Sequence, residues 1–219
     1  MSFNQPVAGI VWPRGITAME FSHSFNQPIN ATVLPPYMKS LHFGDNFNQS
    51  LAGVKFPETL TLINLGRAFN QPLEEVNWPA KLETLLFHRL SEFDQPMQRV
   101  RLPDTVTDIE FGFLFDQPVA TVPWPSSLKK LVFGFFFQQP LMDMKWQLTP
   151  HLTTIVFAGI CVEDDVLDKV QWPDSLTEIS FLSLEQQKRH GRGRFVSDMD
   201  DWEHEHLVWR RKHWAPARI

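Results

Sequence analysis

A tetrad, Phe-(Asn/Asp/Gln)-Gln-(Pro/Ser), recurs seven times in this sequence at a nearly constant interval. Its copies open at Phe3, Phe25, Phe47, Phe69, Phe93, Phe115 and Phe137. Successive copies start 22 residues apart, except for the fourth and fifth, which start 24 apart. A fixed period near 22 residues is typical of a solenoid, in which each repeat packs only on its neighbours. The period therefore predicts an elongated stack of repeats, and such a stack favours binding because it is mostly one long surface.

Every unit but the seventh contains an apolar residue followed by proline, and a Leu-x-x-Leu-x-Phe stretch recurs eight times. The prolines lie about seven residues apart, which leaves no window for an ordinary helix. The alternation in Leu-x-Phe indicates a short strand with one buried face. The units predict eight rungs of short parallel β-strands, an extended or turn-rich outer side and little helix. We expect this solenoid to span 1–184, with a degenerate, cap-like last repeat at 161–184, followed by a partly helical tail at 185–219.

The Asn-Gln pair of the tetrad has a structural explanation. Turns in a solenoid leave backbone groups unpaired, and amide side chains at the same place on successive rungs can satisfy them as a ladder. Amides neither titrate nor attack, so the pair does not indicate catalysis. Counting the tetrad Phe as position 1, the aromatic residues at positions 1, 10 and 19 are predicted to form the core. The glycines at position 20 are expected to mark a turn that needs positive φ; they are Gly44, Gly66, Gly112 and Gly134.

These units resemble the FNIP repeat, a relative of the leucine-rich repeat with a period of about 22 residues. The residues that carry the resemblance are the FNQP tetrads at 3–6, 25–28 and 69–72, each followed by the two blocks described above. The resemblance covers about residues 1–183 and implies a leucine-rich-repeat-like solenoid. Several members of that family join such repeats to an F-box and are thought to act as substrate receptors in ubiquitin ligation. No F-box-like segment precedes Phe3, so we do not carry that role over.

Composition favours an intracellular, most simply cytoplasmic, protein without a cofactor. The single cysteine, Cys161, excludes an internal disulfide, and no run of residues is apolar enough to span a membrane. The net charge is −5, but the tail from Glu185 onward holds eight cations and six acids, which leaves the solenoid at −7. An acidic solenoid is a poor match for nucleic acid, so we expect no nucleic-acid partner for it. No nucleophile–base set, phosphate loop or paired carboxylates predict an enzyme.

A change of character along the repeats indicates a binding site. The last two positions of the unit are polar or small in early copies and apolar later, so stacking predicts an apolar stripe formed by Phe113, Leu114, Phe135, Phe136 and Ile160. The outward strand position follows the same trend, with Leu86, Val132 and Val156 in later copies. Contiguous apolar patches usually mark interaction sites. We expect a protein partner there, although the aromatic tail could cover the stripe instead and a lipid or pigment contact is a third possibility.

The tail and the first rung give further expectations. The stretch 197–211 has acids first and cations last, which predicts a short helix. One alternative function is a metal or catalytic site at His204, His206 and Cys161, and another is nucleic-acid binding through the basic segment 188–194. Finally, the repeats begin at Phe3 without a cap, so we expect the open N-terminal end to pair with another chain or with a second copy, as a homodimer or a subunit of an assembly.

Overall fold

The computed structural model describes residues 3–159, 169–182 and 206–209. Eight short strands, one per repeat, stack in sequence order as a parallel sheet, and a ninth strand pairs with the last of them in the antiparallel sense. The strands are β1 Ala18–Glu20, β2 Ser40–His42, β3 Leu62–Leu65, β4 Thr84–Phe87, β5 Asp108–Glu110, β6 Lys130–Phe133, β7 Thr154–Phe157, β8 Glu178–Leu182 and β9 His206–Trp209. The only helical elements in the described residues are two 3-10 turns, Leu141–Asp143 and Trp146–Leu148. The predicted solenoid of eight parallel rungs is confirmed.

Three tight turns bend each rung, and the same turns recur along the chain. In the third repeat, backbone N–H groups reach the carbonyl three residues earlier in Val54→Leu51 and Leu60→Pro57, at 3.2 and 3.1 Å. The third turn closes the unit, where Phe69 N–H donates to the Gly66 carbonyl at 3.3 Å. Turns of this kind suit proline and tolerate most other residues. The prolines therefore set the corners of the rung, and the alternating Leu-x-Phe stretch is left as its strand.

Phenylalanine rings form the centre of the stack. The seven tetrad rings stack on one another from rung to rung with centroids 6.0–6.3 Å apart. In five places the position 19 ring also packs on the tetrad ring that opens the following unit, at 3.8–4.2 Å. Position 10 follows the prediction only in part: Leu34 and Trp146 are buried in the core, whereas Trp12, Phe56, Trp78, Leu102 and Trp124 are only partly buried and pack against it. The partly buried residues come directly before the corner proline, at the margin of the core.

The predicted ladder of tetrad side chains is present. At each of six steps, the side-chain Oδ1 at position 2 accepts the backbone N–H of position 2 on the next rung at 2.8–3.0 Å. The same oxygen accepts the Nε2 of the Gln at position 3 of that rung, at 2.9–3.1 Å. The ladder fixes the spacing between successive rungs on the side away from the sheet, because every step satisfies one backbone donor and one side-chain donor.

The glycines at position 20 serve a purpose other than the expected one. Positive φ occurs, within the described chain, only at Gly9 and Gly53. At Gly134, a Cβ would instead lie 1.7 Å from the carbonyl oxygen of Gly112, and at Gly66 it would lie 1.9 Å from that of Gly44. The predicted turn is present, since the N–H of Phe69 donates to the Gly66 carbonyl, but the positive φ expected there was wrong. Position 20 is glycine because successive rungs touch there backbone to backbone.

Two features stand apart from the regular repeat. The two extra residues of the fourth repeat fall in the turn 88–92, where Ser91 is fully buried and its Oγ accepts the N–H of Phe93 at 3.1 Å. In the tail, His206–Trp209 is a strand paired with β8 in the register Leu182↔His206, so the predicted helix over 197–211 is wrong for these four residues. The rest of that stretch lies outside the described residues. An edge strand offers a row of unpaired backbone groups, and β9 takes up those of β8.

Candidate functional site

Three phenylalanine rings from two neighbouring rungs form one surface group, here called the aromatic cluster: Phe113, Phe135 and Phe136. Phe113 and Phe135 stack with centroids 5.1 Å apart and planes 14° apart. Phe136 stands edge-on to both, at 5.0 and 5.3 Å. The backbone holds the rungs in place, since Phe136 N–H donates to the Phe113 carbonyl at 3.0 Å. Such edge-to-face and stacked contacts are the arrangements that aromatic rings prefer.

The cluster stays on the surface because the core is already filled. Phe115 and Phe137 follow it in the two rungs and are fully buried. Phe136 keeps 41% of its surface exposed and Leu114, beside the cluster, keeps 40%. Phe113 and Phe135 are half-buried. Stacking thus places Phe113, Leu114, Phe135 and Phe136 together, whereas Ile160, the fifth residue of the predicted stripe, lies outside the described residues.

The outward strand face does not form one apolar surface. Register pairs Leu86 with Glu110, Glu110 with Val132, and Val132 with Val156. Glu110 therefore separates Leu86 from the two valines, and its Oε1 accepts a hydrogen bond of 2.5 Å from Lys130 Nζ. Val132 and Val156 remain as a half-buried neighbouring pair. This cross-rung ion pair was missed in the sequence, although its residues lie on adjacent units close to one repeat apart.

The equivalent turns of the earlier rungs carry charge rather than aromatic rings. His23 Nδ1 lies 2.8 Å from Asp45 Oδ2, and the Arg67 Nε lies 3.8 Å from Glu92 Oε1. These pairs are exposed, and such pairs contribute little to stability. The turns that follow the strands form a ridge along one side of the sheet. This ridge carries charged side chains in rungs one to four and aromatic side chains in the later rungs.

His88 marks the boundary between the two halves. Its Nδ1 accepts the N–H of Leu90 at 3.2 Å, which requires that nitrogen to be unprotonated. Burial lowers the pKa of His88 below its ordinary value of 6.5; Arg67 and Arg89 lower it further, and Asp45 opposes them. The imidazole is thus held neutral at neutral pH and acts as a fixed acceptor for the longer turn.

Two departures in the tetrad lie beside the aromatic cluster. Position 2 is Asn in the first four rungs, but Asp94 and Asp116 occupy it in the fifth and sixth. Asp116 comes three residues after Phe113 in the chain, behind the exposed Leu114 and the buried Phe115, and belongs to the repeat unit that carries Phe135 and Phe136. Both carboxylates are half-buried, and neither forms an ion pair with any described residue. The change from Asn to Asp is visible in the sequence, but its place beside the aromatic cluster becomes clear only when the rungs are stacked.

The tail alternatives are only partly covered by the structure. Cys161 and His204, like the basic segment 188–194, lie outside the described residues, and His206 is described only as part of the β9 backbone. No group of three His, Cys, Asp or Glu within the described residues is arranged to hold a metal ion. Nor does the described chain contain a helix long and apolar enough to cross a membrane. Of the aromatic tail that could cover the stripe, 207–209 runs beside β8, whereas Phe195, Trp202 and Trp214 are not described.

The first rung is exposed at its outer side. Phe3 keeps 46% of its surface exposed although its ring stacks on Phe25 at 6.1 Å, and β1 has β2 as its neighbour in the described sheet. Ser22 Oγ donates to the Phe3 carbonyl at 2.7 Å and anchors the segment. Association of another chain or a second copy at this end stays a prediction.

Stacked parallel strands, corner turns and an aromatic core define the class of protein: a leucine-rich-repeat-like β-solenoid. The family model for the FNIP Repeat matches residues 3–46 and 47–90, so this part of the chain contains FNIP repeats. It is similar to the crystal structure of CroV588, a novel circular LRR protein, at 31% identity over 82% of this chain and a TM-score of 0.60. This chain covers 29% of that one and so spans less than a third of its length. No curated protein matches it.

Proposed function

We propose that this chain is a non-enzymatic interaction module that binds a partner protein through the aromatic cluster and Leu114. The observation that carries the proposal is that three rings in mutual contact are displayed on the surface rather than added to the core. Repeats of this fold typically serve as scaffolds, which supports the proposal. Aromatic residues are the commonest energetic anchors of protein interfaces, and a compact exposed group of them is a typical interaction site.

The surface is suited to a partner protein for a second reason. The cluster is attached to a rigid stack whose backbone positions are fixed by the ladder and the sheet, so binding orders few groups and costs little conformational entropy. Val132 and Val156 extend the apolar area on the adjoining strand face. A single cysteine in 219 residues supports a reducing, intracellular setting for this interaction.

The test is affinity capture from native lysate with the wild-type chain and the double variant Phe113→Asp/Phe135→Asp. Met142→Ser is the matched control, because Met142 is also an exposed hydrophobic residue, at 59%, but belongs to a different part of the rung. Circular dichroism verifies that each variant is folded. We expect a partner that the wild type and the control retain and the double variant loses. Identical capture by all three chains would refute the proposed site.

A further inference from the structure

The ladder uses only the Oδ1 atom of each position 2 side chain. The other terminal atom, which is Nδ2 in Asn and Oδ2 in Asp, is therefore free to vary. Asn48 Oδ1 accepts both donors of the next rung, and Asp94 Oδ1 does the same with the N–H of Asp116 and the Nε2 of Gln117, at 3.0 and 2.9 Å. Among the described residues, none of the Asn Nδ2 atoms at this position donates a hydrogen bond. Asn and Asp therefore build the ladder equally well, and the fold does not require Asp at either place.

The two Asp residues occur only where the ridge becomes aromatic. Asp94 opens the rung that carries Phe113, and Asp116 opens the next, which carries Phe135 and Phe136. Replacing Asn by Asp exchanges a neutral amide group for a carboxylate oxygen. That second oxygen has no hydrogen-bond or ionic partner within the described chain.

Other acids near the cluster are already paired. Glu110 is bound by Lys130 at 2.5 Å, and Glu92 faces Arg67 at 3.8 Å. Asp94 and Asp116, by contrast, have no ion-pair partner among the described residues. Asp116 comes three residues after Phe113, and Asp94 accepts the N–H of Asp116, so both acids lie close to the cluster along the stack. An apolar surface bordered by uncompensated carboxylates is complementary to an apolar segment that also carries cations, and aromatic rings themselves attract Lys and Arg.

We propose, on the basis of the function above, that the partner contacts the aromatic cluster through a basic, apolar segment with Lys or Arg beside large apolar side chains. The apolar side chains cover the three rings and Leu114. The cations lie over Asp94 and Asp116. Asp at these two ladder positions is then a specificity feature that the repeat tolerates at no structural cost.

The probes are three short fluorescent peptides that share a Trp-Leu-Leu-Phe core and are flanked by lysines, serines or glutamates. Binding to the full chain is measured by anisotropy at low salt and at about 0.3 M salt, where exposed charges are screened beyond a few ångströms. The key variant is Asp94→Asn/Asp116→Asn, which restores the residue found at the same position in the first four rungs. The control, Glu74→Gln/Glu75→Gln, removes two exposed charges from the fourth repeat without touching the cluster.

We expect the lysine-flanked peptide to bind best and the glutamate-flanked one worst. The Asp-to-Asn variant should weaken the lysine-flanked peptide about 3- to 10-fold at low salt, as expected for two exposed charge pairs. It should also reduce the salt dependence, leave the serine-flanked peptide unchanged and melt like the wild type. The Glu-to-Gln control should bind all three peptides as the wild type does.

Several results would overturn the inference while leaving the proposed function to the capture experiment. These are no binding of the lysine-flanked peptide, equal binding of the lysine- and serine-flanked peptides, or an equal loss in the Glu-to-Gln control, which would indicate overall charge rather than this site. Self-association of the wild type that excludes the peptide would assign the cluster to a second copy. If Phe113→Asp/Phe135→Asp binds all three peptides like the wild type, the proposed site is wrong as well.

Discussion

Gln71 Nε2 donates a hydrogen bond of 2.9 Å to Oδ1 of Asn48, which lies one rung earlier in the solenoid. The same oxygen accepts the backbone N–H of Asn70, also at 2.9 Å. One atom thus satisfies two donors of the next rung. This shared acceptor explains how a repeat with so little regular secondary structure keeps its rungs in register on the side away from the sheet.

Asn48→Ala should destabilise the protein by about 1–3 kcal/mol, because it leaves two half-buried donors without an acceptor. Asn48→Asp keeps the acceptor and should stay within about 0.5 kcal/mol of the wild type, as expected for a substitution that breaks no structural feature. Urea unfolding of both variants measures the difference. Equal destabilisation by Ala and Asp would mean that the amide Nδ2 also contributes to the ladder.

Gly134→Ala should be strongly destabilising, since its Cβ would lie 1.7 Å from the carbonyl oxygen of Gly112 and force two rungs apart. We expect at least the ~1–3 kcal/mol that overpacking costs in a close-packed interior. Gly15→Ala is the control, because Gly15 is exposed and a Cβ there would meet nothing within 4 Å. Thermal unfolding compares the two. A Gly134→Ala chain as stable as Gly15→Ala would contradict the close backbone contact.

Phe115 and Phe136 separate stability from binding. Phe115 is fully buried and its ring lies 3.8 Å from that of Phe111 and 6.3 Å from that of Phe137. Phe115→Ala should cost about 3–5 kcal/mol, the range for truncating a buried Phe. Phe136→Ala removes a ring that is 41% exposed and should cost less than about 1 kcal/mol. Urea unfolding tests both; a large loss at Phe136 would show that the cluster belongs to the core.

How far the sequence predicts this fold depends on whether a feature repeats. The Phe stack and the Asn-Gln ladder were predictable because each recurs at the period and has the same neighbours in every rung. β9 was not, because four residues of a non-repeating tail carry no periodicity and their pairing with β8 is a long-range choice. The role of Gly134 was misjudged, since a glycine required by close contact and one required by positive φ look alike in a sequence. The Glu110–Lys130 pair needed the register of β5 and β6.

The stability of the protein should fall in mild acid through His88. Its pKa is lowered in the folded state, chiefly by burial, so between that lowered value and the ordinary 6.5 the unfolded chain binds more protons than the folded one. The free energy of unfolding therefore rises with pH in this window. The stabilisation that comes from His88 is fully present above pH 6.5 and is lost as the pH falls through the lowered pKa. Protonation would also remove the acceptor that Nδ1 offers to the Leu90 N–H.

His88→Gln tests this, because Gln is polar but does not titrate. Urea midpoints of both chains at about pH 7.5 and pH 5.5 give the comparison. The wild type should lose more stability than the variant on going to the lower pH, since only it carries a neutral imidazole among Arg67, Arg89 and Asp45. Every other ionisable side chain is common to both chains, so the difference between them reports on position 88. If the two chains decline in parallel, His88 does not carry the acid sensitivity.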